Sequence, residues 1–186
     1  MVDGFVIADR RLDLLVMELS KNVPFGIQTS KWYYGIPGYT DGIYIHSPDL
    51  KELAGDAYPN FYTGHEGFGN IGIGMKPKNG FYKLDVQFYF GKGWKDHGGK
   101  KARVGPNNNP DPIVKELADE FAQKFGFEVE HRFWRDKYSW SWARRTEKFR
   151  TLKKLREMAV TYTVGYMDLL SHRSPPKQEA QVALVS

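Results

Sequence analysis

Residues 82 to 90 read YKLDVQFYF. In an extended chain Tyr82, Leu84, Val86, Phe88 and Phe90 fall on one side, and Lys83, Asp85, Gln87 and Tyr89 on the other. Successive side chains of a strand point to opposite faces, so this segment has one apolar and one polar face. That is the pattern of a central strand in an antiparallel sheet with one face on a core. The rest of the chain must then supply strands for both edges and helices for the apolar face.

Further strand signals are shorter. Phe25, Ile27 and Thr29 alternate with Gly26 and Gln28, and Gly42 to His46 reads as a second strand. Between them "KWYYGIPGYTDG" (31–42) is turn chemistry. Ile71, Ile73 and Met75 alternate with Gly72 and Gly74, and "KPKNG" (76–80) is a hairpin turn in which Asn79-Gly80 supplies positive φ angles. Phe127, Val129, His131 and Phe133 alternate with Glu128, Glu130, Arg132 and Trp134. Tyr138, Trp140 and Trp142 alternate with Ser139 and Ser141, which predicts a second hairpin across Arg135-Asp136.

Four helices are expected. Leu12, Leu15, Val16 and Leu19 recur at helical spacing over 9–21, ahead of Pro24. Ser47-Pro48 is an N-cap followed by a first-turn proline, with Gly55 as the stop. Asp111-Pro112 repeats that start; Ile113, Leu117, Phe121 and Phe125 form a stripe, and Gly126 ends it. The last helix is expected from about Ala143 to Leu170, with Phe149, Leu152, Leu155, Ala159, Tyr162, Tyr166 and Leu169 on one face.

These elements predict an α+β fold: a mostly antiparallel sheet of five to six strands packed by two or three helices, including a long C-terminal helix. Residues 1–172 form one expected domain. Residues 173–186, with two prolines and little apolar bulk, form an expected flexible tail. The chain has no cysteine, so disulfides and thiolate metal sites are excluded. No apolar stretch approaches the roughly 18 residues of a membrane span, and the first residues lack signal-peptide character. A cytoplasmic, intracellular or virion-associated setting is the corresponding expectation.

Charge carries the functional expectation. The chain is +5 overall, but residues 131–160 hold ten Lys/Arg and three Asp/Glu, a local +7, so the remainder is slightly acidic. Arg132, Arg135 and Lys137 lie in the second hairpin, and Arg144, Arg145, Lys148, Arg150, Lys153 and Lys154 follow, with Trp134, Trp140 and Trp142 as neighbouring aromatics. The Gly-rich stretch 91–105 adds Lys100, Lys101 and Arg103. Cations displace counterions from a polyanion, and aromatic faces stack on unpaired bases. The expected function is therefore non-enzymatic nucleic-acid binding, with nucleic acid as partner and no cofactor. Against it stands a plainer reading: a solvated helix face whose tryptophans are core, alternating with outward serines. A structural or assembly subunit of a large complex such as a viral particle, binding other protein subunits, is the alternative.

Catalytic signals are thin. The five histidines show no helical i, i+4 pair, and "GFGNIGIG" (67–74) lacks the Gly-Lys-Ser/Thr of a phosphate loop. Asp85, Glu128 and Glu130 lie on polar strand faces; on adjacent strands they would form a carboxylate cluster for Mg²⁺, the third reading being a Mg²⁺-dependent nuclease. The element order resembles a restriction-nuclease core, but Gln87 stands where that family has an acid followed two residues on by lysine.

Overall fold

In the computed structural model the described residues are 4–33, 40–54, 67–74, 80–91, 112–134 and 138–172; residues 4–8, 112–113, 132–134 and 138–140 are described by their backbone alone. Helix α1 (Gly4–Asn22) leads into β1 (Gln28–Trp32) and β2 (Thr40–His46). Then come α2 (Pro48–Ala54), β3 (Gly69–Gly74), β4 (Tyr82–Gly91) and α3 (Pro112–Phe125). The chain continues through β5 (Glu128–Trp134) and β6 (Tyr138–Phe149) to α4 (Leu152–His172). The six strands form one antiparallel sheet in the order β1-β2-β3-β4-β6-β5. The fold is α+β.

The alternation in β4 does what it predicts. Leu84, Val86, Phe88 and Phe90 are buried beneath helices, and β4 sits inside the sheet between β3 and β6. Ile43, Ile45, Ile71, Ile73 and Ala143 share that face and meet Leu12, Leu15 and Leu19 of α1, Leu50 of α2, Phe121 of α3, and Leu155, Tyr166 and Leu170 of α4. Rings fill the centre: Tyr166 stacks on Phe88 at 4.8 Å and on Phe68 at 5.0 Å, and Phe121 meets Phe88 edge-on at 5.4 Å. The Tyr166 hydroxyl, buried with them, donates to the Tyr89 carbonyl.

Local signals hold at the short helices. The Ser47 hydroxyl accepts the Leu50 N–H at 3.3 Å, an N-cap as expected. Gly126 ends α3 with φ 68°, and Gly80 has φ 86° in the turn before β4. Phe127 folds back onto Phe121 at 4.9 Å.

Three expectations need correction. The first strand is Gln28–Trp32, not 25–29, so part of the expected turn segment is strand. Residues 143–149 belong to β6, and the last helix begins at Leu152. Their inward positions are Ser141, Ala143, Arg145, Glu147 and Phe149, which mask the period of two; Ala, Arg, Glu and Lys also favour a helix locally. Pairing with β4 along ten residues overrides that preference. Thr151 then caps α4, its hydroxyl accepting the Lys154 N–H at 3.2 Å. Third, Ser141 is fully buried while Trp142 lies on the opposite face, the reverse of a tryptophan core with outward serines. The expected basic loop 91–105 and tail 173–186, apart from Gly91, lie outside the described residues.

Candidate functional site

All four helices pack on the face of Leu84 and Phe88. The strand positions of the other face line up in rows across the sheet. One row runs Trp32–Gly42–Gly72–Asp85–Thr146, and the next Ser30–Tyr44–Asn70–Gln87–Arg144–Glu128. Beside the first of these runs Thr40–Gly74–Lys83–Lys148. Adjacent rows are two residues apart along each strand, or about 6.7 Å. They line an open concavity of about 640 Å³ that includes Trp32, Tyr44, Asn70, Lys83, Asp85, Gln87, Tyr89, Arg144 and Thr146.

The concavity exists because two glycines floor it. A Cβ on Gly42 would collide with the Trp32 ring and the Ile71 carbonyl; one on Gly72 would sit 3.0 Å from Thr40 and 3.3 Å from Trp32. The indole of Trp32 is therefore laid along the sheet over both glycines instead of standing away from it. Tyr44 tilts beside it, ring centroids 6.2 Å apart at 47°.

Next to this platform is a ring of three polar side chains. Asn70 Nδ2 donates to the Tyr89 hydroxyl at 2.9 Å and reaches Gln87 Oε1 at 3.4 Å, while the Tyr89 hydroxyl donates to Gln87 Oε1 at 3.2 Å. Tyr89 is only 9% exposed, although its strand face is the polar one. Burial, with Tyr44 nearby, pushes its phenol up to about 12 against the opposing pull of the Asn70 hydrogen bond.

Charges rim the other half. Lys83 pairs with Asp85 at 2.8 Å, and the Thr146 hydroxyl donates to Asp85 at 2.6 Å. Arg144 reaches Glu128 only at 3.7 Å. Lys148 stands in register with Lys83 and makes no ion pair among the described residues. Like charges directly opposite on a sheet repel, so this end of the face favours an anion.

The expected basic surface is thus divided. Arg144 and Lys148 lie on the open face. Arg145 lies on the helix face, donating to the Phe125 and Gly126 carbonyls that end α3, at 2.5 and 2.6 Å, and pairing with Glu147. The Glu147 carboxylate also accepts from the Tyr162 hydroxyl at 2.7 Å. The hydrogen bond to Glu147 holds the Arg145 guanidinium above its ordinary value against desolvation. Arg145 serves the packing of α3, on the face opposite Arg144 and Lys148. Arg150, over the Phe81 ring at 5.8 Å, and Lys153 and Lys154 belong to the turn and first turn of α4, in the helix layer. Arg132 and Trp134 are placed only by register, opposite Trp140 and Tyr138. Arg135, Lys137, Lys100, Lys101 and Arg103 lie outside the described residues.

The three carboxylates do not converge. β6 lies between β4 and β5, which separates Asp85 from Glu128 and Glu130 by two strand spacings, roughly 10 Å. No metal-binding cluster of His, Asp and Glu occurs among the described residues.

A Ser-His-Asp contact does form, on the helix face. His131 Nδ1 lies 2.7 Å from Ser141 Oγ, and Nε2 lies 3.1 Å from Asp119 Oδ1. Ser141 is wholly buried, whereas a nucleophile must reach its substrate. The chain of contacts fastens α3 to β5 and β6.

Trp32, Tyr44 and Asn70 were not singled out by the sequence. The available signal was the glycine at alternate positions in two separate strands, Gly42 in one and Gly72 in the other, which marks places where another group approaches the backbone closely. No protein-family model, curated protein or solved structure matches the chain.

Proposed function

We propose that the protein binds single-stranded nucleic acid across the open face of its sheet. One observation carries this reading. The face opposite all four helices gathers Trp32, Tyr44, Asn70 and Gln87 on one half, and Lys83, Arg144 and Lys148 on the other. Bases stack on the aromatic half, and phosphates follow the cationic half. A duplex is a poorer fit, because stacking needs unpaired bases.

The division of charge sets the magnitude. Three cations share the face among the described side chains, one of them paired with Asp85, so at most about three phosphates are neutralised, and the log–log salt slope is no steeper than about −2 for a single strand. Titration of a labelled oligothymidylate should show affinity falling by at most about twentyfold between 50 and 200 mM salt. Trp32→Ala should weaken binding by ~1–3 kcal/mol. Arg144→Glu combined with Lys148→Glu should remove binding and leave the melting temperature nearly unchanged, because both side chains are exposed. Absence of binding to any oligonucleotide at 50 mM salt overturns the reading.

An assembly role is the second reading, favoured by Leu14 and Met17, which stand one turn apart on α1 at 40% and 53% exposure. Light scattering separates the two: a concentration-dependent mass abolished by Met17→Glu supports assembly.

A further inference from the structure

Asn70, Gln87 and Tyr89 form a closed ring of hydrogen bonds beside the Trp32 platform. Each amide has one nitrogen and one oxygen, and each uses only one of them in the ring. Asn70 Oδ1 and Gln87 Nε2 make no hydrogen bond among the described residues. The concavity is therefore offered one acceptor, from Asn70, and one donor, from Gln87.

The ring also closes in the reverse direction. If both amides turn over, the Tyr89 hydroxyl donates to Asn70 Oδ1, and Gln87 Nε2 donates to the Tyr89 oxygen and to Asn70 Oδ1. The concavity then meets a donor from Asn70 and an acceptor from Gln87. Tyr89 makes both directions possible because its hydroxyl donates once and accepts once, and its phenol, pushed up to about 12, keeps that proton at neutral pH. In either direction the site presents one donor and one acceptor; only their positions exchange.

On the reading that the open face binds single strands, we infer that this reversible amide pair is a base-edge clamp that accepts all four nucleobases. Every base has an edge with a donor beside an acceptor. In adenine and cytosine an exocyclic amine adjoins a ring nitrogen; in guanine and in thymine or uracil a ring N–H adjoins a carbonyl. A fixed amide pair would present one order of donor and acceptor and so discriminate between guanine, whose carbonyl precedes its ring N–H, and cytosine, whose amine precedes its ring nitrogen; a reversible pair satisfies both. Recognition is then base-dependent but sequence-tolerant.

The test is to lock the ring. In Asn70→Asp the group at position 70 only accepts, so the Tyr89 proton is committed to it and Gln87 must turn its oxygen outward. The site then shows two acceptors and suits the adjacent N1–H and N2–H donors of guanine. Gln87→Glu locks the ring from the other side with the same outcome. Binding is measured on short strands that are abasic except for one central guanine, adenine or cytosine, beside the wholly abasic strand.

Wild-type protein is expected to bind the three base-containing strands within about threefold of one another, and the abasic strand about tenfold more weakly. Both carboxylate variants should bind more weakly overall, through repulsion of phosphate, yet prefer the guanine strand by about tenfold. Asn70→Ala should lose affinity with no new preference. If wild-type binding is salt-dependent but neither carboxylate variant gains a guanine preference, or if the abasic strand binds as well as the others, the clamp is overturned and the broader reading survives. If no oligonucleotide binds, both fall.

Discussion

Gly126 is a single residue with two structural duties. Its φ of 68° closes α3, and the position its Cβ would take is occupied by the Arg145 guanidinium, which donates to the Phe125 and Gly126 carbonyls. A left-handed backbone costs an L-residue roughly 1–2 kcal/mol, and here the guanidinium must also move away from the carbonyls it caps. Gly126→Ala is expected to destabilise by about 2–4 kcal/mol, more than the backbone term alone, since a charge-assisted hydrogen bond contributes ~1.5–3 kcal/mol. Chemical denaturation of Gly126→Ala beside Gly80→Ala checks this. Gly80 also has a positive φ, at 86°, but an equal cost at the two sites would remove the special role of Arg145.

β6 is an element whose inward face breaks the usual rule, because it carries an ion pair under a helix layer. Arg145 and Glu147 retain 29% and 21% side-chain exposure, so their pairing is only partly shielded from water. Tyr162 adds its hydroxyl to Glu147 and lies 5.7 Å beneath the guanidinium; burial, and then that carboxylate, raise its phenol above the ordinary value. Removing one partner leaves the other without its counter-charge, though Arg145 keeps the Phe125 and Gly126 carbonyls and Glu147 keeps the Tyr162 hydroxyl. Arg145→Met and Glu147→Met are each expected to cost about 1–3 kcal/mol, below the ~3–5 kcal/mol of a fully buried pair. The double variant should cost less than the sum of the two. A double-mutant cycle measures the coupling, and strict additivity would show that the pair contributes nothing.

At the scale of the whole molecule, separate ties join α1 to its surroundings. Arg156 of α4 pairs with Glu18 at 3.0 Å, and Lys31 of β1 meets both Asp9 and Asp13 at 2.6 Å, with the Tyr33 hydroxyl also on Asp9. The Lys31 ammonium, then the Tyr33 hydroxyl, hold the Asp9 carboxyl below its ordinary value of 3.8, and the two carboxylates hold Lys31 above the ordinary lysine range. A depressed carboxyl stabilises the fold above its unfolded value, and the contribution is lost as pH falls through the folded one. The raised Lys31 contributes below the ordinary lysine value of about 10.4 and fades only as pH rises beyond it. Across the neutral range both contributions are present. Asp9→Asn should therefore melt below wild type at pH 7 and converge with it only as pH falls through the lowered Asp9 value, below the ordinary 3.8. A melting difference that persists unchanged into acid would show that the tie is not ionic.

The sequence by itself determined the elements whose signals are local. The period of two in Tyr82–Phe90 defines β4 and its buried side; Ser47 and Pro48 start α2; Gly126 ends α3; and the stripe through Leu155, Ala159, Tyr162 and Tyr166 marks the buried face of α4. Each depends on residues within a few positions of one another, where strand and helix periodicity operate. Tertiary structure alone decided that residues 143–149 are strand. Their composition favours a helix, and only the ladder to β4 supplies the hydrogen bonds that outweigh it. It also decided the candidate site. Trp32, Gly42, Gly72, Asp85 and Thr146 come from five strands and meet through register, which sequence spacing does not encode. The basic segment was visible as charge, but which of its cations share a face depends on strand parity and on helix packing. Arg144 turns outward and Arg145 inward because consecutive strand residues point to opposite sides, and only the position of α3 gives Arg145 its carbonyl partners.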